Sequence, residues 1–581
     1  MIAFGAKERR IRRKIYTGNF KMVYVLGISC FYHDSAACLV KDGKVIAAAS
    51  EERFSRQKHD NRFPYNAIDY CLKEGGIKIN DVDYIGFYEK PLVKFERILT
   101  TNITTYPLGF WQFYKAIPSW VTQKLKIPTI LGKIGYKKDV IFINHHLSHA
   151  SSAFFVSPFE KAAILTFDGV GEWDTASCGI GAGNKINLVK EMRFPNSLGL
   201  LYSAVTAYLG FDVNNDEYKV MGLAPYGEPT YYEKFNDVIN IKDDGSFRLN
   251  EDYFAYHYKM MIFSSKFVRE FGEPRKKNGK MEERHMDIAS SLQKITEEVV
   301  VRMAKNLQRE TGMQNLVLAG GVAMNSVANG KILRYTKLKR LFVQHASSDS
   351  GGALGVAFYI YNQVLNNKRN YVMEHAYLGP KFSTDKIREF LDKNNVKYEE
   401  MPYDKIIRKT ARLISEDKVV GWFQGGMEWG ERALGNRSIL ANPCNAEMKD
   451  IVNKKVKHRE EFRPFAPSVI LEEAPKYFDM LEPVPFMLEV YDVKKGKDKI
   501  IPAVTHVDGS ARLQTVTKES NPLYYALIKE FKRITGVPVV LNTSFNVKGE
   551  PIVCTPEDAY KCFIGTEIDY LAMDKFLIQK Q

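Results

Sequence analysis

A repeated pattern of apolar runs and turns constrains the fold of this chain more than any other feature. Across residues 23–50, three apolar runs are separated by short turns that include Asp42-Gly43, which predicts a three-strand meander. The pattern returns across residues 162–192, where the first run leads through Asp168-Gly169 into two further runs. Two such halves predict an internally duplicated α/β domain with a cleft between the halves.

The length of the chain, 581 residues, is too great for one hydrophobic core and predicts two or more domains. A polar run over residues 366–370, followed by Gly379-Pro380, is typical of a linker. The motifs beyond it differ from those before it. We therefore predict a basic leader over residues 1–22, a first domain over residues 23–370 and a second domain over residues 371–581.

The composition is that of a folded soluble protein, with 45% hydrophobic and 26% charged residues. No apolar run approaches the roughly 18 residues of a membrane helix, and the amino terminus lacks the layout of a secretory signal. The seven cysteines are scattered without a Cys-x-x-Cys pair, which supports neither a disulfide framework nor a thiolate zinc site. We expect a cytoplasmic protein without a membrane partner.

The formal net charge of +15 is unevenly distributed, because residues 1–21 hold seven basic residues against Glu8 alone. This leader is expected to be a disordered, solvated arm, and RNA binding by the arm is the alternative. The rest of the chain has a smaller share of the excess positive charge, so a nucleic-acid partner is not expected.

The segment Asn144-His145-His146-Leu147-Ser148-His149 places two imidazoles four residues apart. On a helix this spacing puts His145 and His149 on one face, where both could bind a single ion. The segment follows the apolar run 140–143, which predicts a buried strand, and Asn144 is a suitable N-cap for the helix. The pair would therefore lie at the carboxyl end of a strand.

Two carboxylates at other strand ends could complete a metal site. Asp168 follows an apolar run and precedes Gly169, and Asp349 follows another run and opens a predicted helix. Two imidazoles with two carboxylates suit iron, zinc or manganese. Without these two aspartates, ordinary helix residues would be the better interpretation of the histidines.

Two further segments could face the predicted cleft. His33, in the loop after the first strand, and more weakly Lys58, could meet a phosphate or a substrate hydroxyl if the two halves face one another. The run that ends in Gly320-Gly321, followed by Asn325, predicts a turn and a helix whose backbone N–H groups could bind phosphate. A tight packing turn explains the two glycines equally well.

The second domain carries four loops that offer arginine, lysine or small polar residues to a ligand. They cover residues 425–438 with Arg432, 457–467 with Lys457 and Arg463, 508–512 with Arg512, and 541–546 with Asn542 and Ser544. Guanidinium groups bind phosphate through paired hydrogen bonds. One such loop would be solvated surface, but four in one domain predict a phosphate pocket.

Taken together, these motifs resemble those of the NodU/CmcH-type O-carbamoyltransferases over nearly all of residues 22–581. The matching segments are HDSAA at 33–37, NHHLSHA at 144–150, KVMGLAPYG at 219–227, AGGVAMN at 319–325, RALGNRS at 432–438 and FRPFAP at 462–467. So many long motifs in one order make the resemblance specific.

The resemblance implies an α/β chain with a duplicated actin-like ATPase (ASKHA) domain, similar to the tRNA threonylcarbamoyl-transfer proteins, followed by an α+β YrdC-like domain. It also implies an ATP-dependent O-carbamoyltransferase. In this family the second domain combines carbamoyl phosphate with ATP, here expected to carry Mg²⁺, and forms carbamoyl adenylate. The first domain then transfers the carbamoyl group to a small-molecule hydroxyl acceptor at an Fe²⁺ site.

The resemblance assigns roles by motif match. The implied iron ligands are His145, His149, Asp168 and Asp349, and the implied transfer-site residues are His33 and Lys58. The implied nucleotide contacts are Lys457, Arg463 and Met487, beside the candidate phosphate turn of Gly320, Gly321 and Asn325. The implied carbamoyl phosphate contacts are Arg432, Arg512, Asn542 and Ser544. A homodimer is left open.

One position departs from the family pattern. Glu431 stands directly before Arg432, where the family usually has proline. A carboxylate that pointed into a phosphate site would oppose anion binding, so we expect Glu431 to face outward or to contact magnesium.

Two other functions stay open from the sequence alone. The first is a threonylcarbamoyladenosine-type tRNA modification enzyme, which would need a basic face for RNA and would use bicarbonate and threonine. The second is a non-catalytic nucleotide-binding scaffold.

Overall fold

The computed structural model describes residues 22–259 and 261–580. Apart from Met22, the predicted basic leader lies outside these residues. Within them, no helix combines the length and the apolar character needed to cross a bilayer.

The first sheet of the described chain confirms the predicted meander. Its strands are β1 (Tyr24–Ser29), β2 (Ala36–Lys41), β3 (Lys44–Ser50), β4 (Tyr84–Phe87) and β5 (Val140–Phe142). Their order is β3-β2-β1-β4-β5. The first strand lies in the centre, with the antiparallel meander on one side and two parallel strands on the other.

The second sheet repeats this topology. The strands that follow are β6 (Lys161–Phe167), β7 (Asp174–Ala182), β8 (Lys185–Arg193), β9 (Ile239–Ile241), β10 (Phe247–Leu249), β11 (Asn315–Ala319) and β12 (Arg340–Val343). The sheet order is β12-β11-β6-β7-β8, while β9 and β10 form a separate hairpin. Again the first strand is central, between a meander and two parallel strands. The predicted duplicated actin-like domain is therefore confirmed.

Helices cover and separate these sheets. Those before residue 371 are Glu52–Ser55, Tyr65–Gly75, Pro91–Thr104, Phe110–Thr122, Ile127–Lys133, His145–Phe154, Leu198–Tyr208, Glu217–Leu223, Tyr232–Phe235, Ser265–Phe271, Glu283–Thr311, Ser326–Tyr335 and Asp349–Phe358. Two of them, His145–Phe154 and Asp349–Phe358, pack on each other between the sheets. Their approach is close: a Cβ at Gly355 would overlap the carbonyl oxygen of Ser148.

The remainder of the chain is α+β, as predicted. Its strands are β13 (Glu399–Glu400), β14 (Val420–Phe423), β15 (Arg437–Ala441), β16 (Ala466–Ile470), β17 (Glu489–Asp492), β18 (Ser510–Val516), β19 (Val539–Ser544), β20 (Tyr570–Met573) and β21 (Phe576–Gln579). They form one mixed sheet in the order β13-β21-β20-β14-β15-β19-β16-β18-β17. Its helices are Thr384–Lys393, Tyr403–Ser415, Met448–Ile451, Pro522–Thr535 and Pro556–Ile564.

The hydrophobic core of the duplicated domain extends into the second part of the chain. It includes Trp429, Phe486 and Met487, and the ring of Phe486 lies 6.1 Å from that of Phe342. The predicted linker is packed as well, because Met373 is buried and its backbone N–H donates to Val156. The boundary at residue 370 stays a prediction, but the two parts share a continuous apolar contact.

Candidate active site

The helix His145–Phe154 is held at its amino end by two side chains. Asn144 accepts a hydrogen bond from the backbone N–H of Leu147 at 3.1 Å, as an N-cap residue does. Glu172 accepts from the backbone N–H of His145 at 3.0 Å, which places a carboxylate at the positive end of the helix. These contacts set the position from which the first turn presents His145.

Four donor atoms converge between the two sheets. The Nε2 atoms of His145 and His149 lie 3.1 Å apart. Asp168 Oδ2 lies 2.9 Å from His145 Nε2 and 4.0 Å from His149 Nε2. Asp349 Oδ1 lies 3.5 Å and 3.7 Å from the same two nitrogens. All four residues are buried, and they are named the donor cluster below.

The donor cluster fits a metal ion. Donor atoms about 2.1 Å from an ion lie roughly 3–3.5 Å from one another in tetrahedral or octahedral geometry. Asp349 Oδ1 is buried without a hydrogen-bond partner among the described residues, which is costly unless a cation or a proton satisfies it. His145 Nδ1 lies 3.7 Å from the Glu89 carboxylate, a group of the kind that orients ligating imidazoles. The chemistry of the set suits iron, zinc or manganese.

The middle histidine of the segment does not join the donor cluster. His146 Nδ1 lies 2.8 Å from the hydroxyl of Thr166, and its Nε2 lies 3.0 Å from the carbonyl oxygen of Asp174. Burial and the charge of His145 lower the pKa of His146 to about 3. His146 is therefore a neutral residue that ties the helix to the second sheet.

His33 is held by a neighbouring carboxylate. Its Nδ1 lies 2.8 Å from Asp34 Oδ2, and Nε2 has no protein partner among the described residues. Burial alone would lower the pKa of His33, but Asp34, supported by Asp349 and Asp168, raises it to about 10. The other oxygen of Asp34 lies 3.0 Å from His59 Nδ1. Asp34 therefore orients two imidazoles at once.

Lys58 lies on the same side as His59. Its ammonium group donates to Asn215 Oδ1 at 2.6 Å, and His59 Nε2 lies 2.9 Å from the same oxygen. Asn215 thus holds Lys58 next to His59, and both side chains line a cavity.

One open cavity brings most of the candidate residues together. Its lining includes His33, Lys58, Asp168, Gly321, Asn325, Arg432, Arg463, Met487, Arg512, Asn542 and Ser544. The cavity lining includes Asp168 but none of the other three residues of the donor cluster. It also lacks Gly320 and Lys457. Residues from both predicted domains therefore share one space.

Five arginines line this cavity, one of them Arg53 of the first predicted domain. The other four belong to the second predicted domain and are named the arginine cluster below: Arg432, Arg459, Arg463 and Arg512. Arg459 donates to Asn453, and Arg463 lies 3.8 Å from Glu460. Arg432 and Arg512 have no acceptor or ion-pair partner among the residues that the structure describes. Burial, followed by the charges of the other three arginines, lowers the pKa of Arg512. Such a concentration of unneutralised guanidinium groups is suited to a multiply charged anion.

Glu431 does not face outward, so that half of the expectation is wrong, while contact with magnesium stays a prediction. Its carboxylate accepts a hydrogen bond of 2.6 Å from Ser348, and its second oxygen is buried at the cavity without a partner among the described residues. Burial raises the pKa of Glu431. Glu431 turns inward because it bonds Ser348, a residue of the first predicted domain. The sequence around Arg432 gives no information about such a distant partner.

Lys457 holds the loop that begins at Ser544. Its ammonium group donates to the backbone oxygens of Ser544 and Asn546, at 2.7 Å and 2.9 Å. Asn542 is held similarly, since its NH₂ group donates to Ala433, Ser468 and Gln514. This leaves Asn542 Oδ1 as a buried acceptor without a described partner at the cavity.

The backbone N–H groups of the glycine turn have hydrogen-bond partners within the protein. The N–H of Gly320 donates to Ser347, and the N–H of Gly321 lies 3.4 Å from Asp168 Oδ1. Gly320 has a φ of 96°, and a Cβ there would overlap the carbonyl oxygen of Phe167. Asn325 caps the next helix and pairs with Gln293. This geometry accounts for the glycines by packing, and phosphate binding at the turn stays a prediction.

The comparison with protein families decides the affiliation. A family described as carbamoyltransferase N-terminus matches residues 24–358, and one described as carbamoyltransferase C-terminus matches residues 411–580. The chain belongs to the carbamoyltransferase family. The two matches together cover most of the chain, so the protein is a carbamoyltransferase.

Three relatives of this carbamoyltransferase span nearly all of it. An uncharacterized protein of Synechocystis sp. is 48% identical and covers 96% of this chain and 97% of its own length. Nodulation protein NolNO of Sinorhizobium fredii is 39% identical over 95% of this chain and 79% of its own. The 3'-hydroxymethylcephem-O-carbamoyltransferase of Amycolatopsis lactamdurans is 26% identical over 90% and 92%.

Several site residues of the carbamoyltransferase escape sequence reasoning. Glu172 and Glu89 approach His145 from distant segments, and no periodicity indicates such contacts. His59 and Asn215 meet in the same way. Arg459 had a usable signal, because it lies in the basic loop of residues 457–467, but nothing in the sequence told it apart from a solvated arginine.

Proposed function

We propose that this carbamoyltransferase performs two half-reactions in one cavity. At the arginine cluster, carbamoyl phosphate and ATP form carbamoyl adenylate. At the donor cluster, the carbamoyl group passes to the hydroxyl of a small-molecule acceptor. The observation that carries the proposal is the single cavity, which is lined both by unpaired Arg432 and Arg512 and by His33 and Asp168.

The arginine cluster suits the activation step. Carbamoyl phosphate is hydrolysed to carbamate and inorganic phosphate. A carbamate oxygen then bonds to the α-phosphorus of ATP while the bond to the pyrophosphate breaks, and pyrophosphate leaves with the electron pair. Buried guanidinium groups stabilise the charge that builds on these oxygens, and ATP enters with its Mg²⁺. The unpaired Oδ1 of Asn542 is placed to accept a hydrogen bond from a carbamoyl NH₂ group.

The His33 side suits the transfer step, in which the acceptor oxygen bonds to the carbamoyl carbon and AMP leaves. Asp34 holds Nδ1 of His33, so that Nε2 of the deprotonated imidazole is left to take the hydroxyl proton. Bound by His145, His149, Asp168 and Asp349, Fe²⁺ would supply a Lewis acid. It would also offset the charges of Asp349 and Asp168, which add less than Asp34 to the raised pKa of His33.

The two half-reactions can be tested separately. Pyrophosphate release that depends on carbamoyl phosphate reports activation, and a mass gain of one carbamoyl group on an acceptor reports transfer. We expect Arg512→Ala to lower both by about 100-fold or more, because a buried charge-assisted contact to phosphate is lost. Asp168→Asn should lower transfer alone.

The matched control is Arg412→Ala, since the Arg412 side chain is 75% exposed and pairs with Glu416 on a helix of the second part. It should leave both rates unchanged. Loss of pyrophosphate release in Asp168→Asn, or its persistence in Arg512→Ala, would contradict the division of labour. Activity with bicarbonate and threonine in place of carbamoyl phosphate would favour the tRNA-modifying alternative.

A further inference from the structure

An unusual share of the exposed apolar surface lies in one short segment. Of the twenty large hydrophobic side chains exposed on the described residues, nine fall between Leu92 and Val121. The most exposed group surrounds the turn between the helices Pro91–Thr104 and Phe110–Thr122. Tyr106 is 73% exposed, Trp111 70%, and Leu108 64%. Scattered exposed hydrophobic residues are normal in soluble proteins, but a contiguous group indicates a contact surface.

The aromatic residues of this segment form a cluster of their own. On the helix Phe110–Thr122, the ring of Phe110 lies 5.7 Å from Trp111 and 6.3 Å from Tyr114. The opposite side of the same helix is anchored, because Trp120 is buried against Phe95 at 5.7 Å. The helix thus has one side packed into the protein and another that offers aromatic rings to the surroundings.

The charge of the segment is one-sided. Residues 98–138 contain six lysines and no aspartate, glutamate or arginine. Five of these lysines, Lys115, Lys126, Lys133, Lys137 and Lys138, are exposed. Exposed Trp, Tyr and Leu side chains together with uncompensated lysines are the composition of protein segments that lie in the headgroup region of a bilayer.

From this combination we infer that residues 98–138 dock on an anionic lipid surface. The aromatic and aliphatic side chains around Trp111 enter the boundary between headgroups and acyl chains, and the lysines contact the negatively charged headgroups. Docking of this kind takes place at the membrane surface and needs no spanning helix. It departs from the sequence-based expectation of no membrane partner.

A second copy of the chain fits this surface less well. In a symmetric dimer the same patch meets itself, so the lysines of residues 98–138 would face one another without a carboxylate on either side. Like charges across an interface oppose association, and lysine is depleted from protein interfaces. Anionic lipid supplies the opposite charge that the segment lacks.

The helix at the base of this surface contacts Glu89, which lies 3.7 Å from His145 of the donor cluster. Lys94, on the helix Pro91–Thr104, pairs with Glu89 at 2.6 Å, and its ammonium group lies 4.7 Å from the ring of Tyr32, which lines the cavity. A bilayer docked on residues 98–138 would therefore contact a helix that packs beside a residue of the cavity lining. The docking itself does not depend on the proposed chemistry.

Vesicle sedimentation tests the inference. The full chain should pellet with vesicles of phosphatidylcholine mixed with phosphatidylglycerol, and much less with phosphatidylcholine alone or at high salt. Leu108→Ser/Trp111→Ser should lower the partition coefficient by about tenfold or more, because the inserted apolar area is lost. Lys126→Glu/Lys133→Glu should lower it by at least about tenfold through charge.

The matched control is Leu481→Ser/Tyr335→Ser, since both side chains are 57% exposed on other surfaces. It should bind vesicles like the parent chain, and all variants should keep the parent unfolding temperature. Failure of the parent chain to bind anionic vesicles would overturn the inference. Vesicle binding by the Leu108→Ser/Trp111→Ser variant that equals that of the parent chain would also overturn it. If the parent chain is a dimer and this variant is a monomer that still binds vesicles, the surface is a protein interface instead.

Discussion

The hydroxyl of Ser348 lies 2.6 Å from the carboxylate of Glu431 and 3.2 Å from that of Asp34. One hydroxyl proton can be donated to only one of these carboxylates, and the shorter distance favours Glu431. Since Asp34 in turn holds His33, a chain of polar contacts runs from the residue before Arg432 to the proposed proton acceptor. Glu431 is therefore coupled to both proposed half-reactions.

Glu431→Gln should strengthen anion binding. Removing a buried negative charge next to Arg432 should lower the KM for carbamoyl phosphate by about 3- to 10-fold, measured through pyrophosphate release. Because burial raises the pKa of Glu431, the carboxyl is more protonated at low pH, so the parent KM should rise with increasing pH more steeply than that of the variant. Parallel pH profiles, or a higher KM in the variant, would show that Glu431 does not act through its charge.

His149→Ala should empty the donor cluster. With one imidazole gone, bound iron measured by elemental analysis should fall from about one ion per chain by tenfold or more, and transfer should fall with it. Carbamoyl phosphate-dependent pyrophosphate release should change by less than about threefold, because the arginine cluster is intact. Full iron content in a folded variant would remove His149 from the ligand set.

Gly320→Ala separates the two interpretations of the glycine turn. A methyl group at φ 96° that overlaps Phe167 should destabilise the fold by about 3 kcal/mol or more. The control is Gly496→Ala, where φ is 84° but no atom lies near the added Cβ, so only the backbone cost of about 1 kcal/mol is expected. Equal unfolding temperatures for the two variants, with weaker ATP binding in Gly320→Ala, would favour the phosphate turn.

Glu489 should make stability depend on pH. Burial and the charge of Glu482 raise the pKa of Glu489 to about 8, against an ordinary value of 4.5. The folded state then binds the proton more tightly than the unfolded state, so this stability is complete below pH 4.5 and is lost as the pH rises through 8.

Glu489→Gln keeps the shape and removes the titration. Its unfolding temperature should exceed that of the parent chain at pH 8.5 and approach it near pH 5. Glu473→Gln is the control, because Glu473 pairs with Lys476 at 3.0 Å, which lowers the pKa of Glu473 below its ordinary value of 4.5 and keeps the carboxylate ionised over this pH range. A temperature difference that is the same at both pH values would show that Glu489 is not the titrating group.

Much of the site could be predicted because its residues stand at the ends of regular elements. Asn144 and Asp349 begin helices, and Asp168 ends a strand, so periodicity alone locates them. That these ends meet follows from the duplicated topology. The remaining features depend on side-chain direction: Glu431 turns toward Ser348, and Lys457 turns toward a backbone loop rather than the cavity. No spacing rule contains that information.

The apolar contact between the two parts of the chain limits how this enzyme could be divided. His345 lies against the rings of Trp429 and Phe486, at 5.5 Å and 4.9 Å, and Phe342 packs on Phe486 as well. A chain divided near residue 370 would expose these apolar faces to water on both fragments, so each fragment would tend to aggregate alone. The two proposed half-reactions would thereby be kept on a single polypeptide by solubility as much as by chemistry.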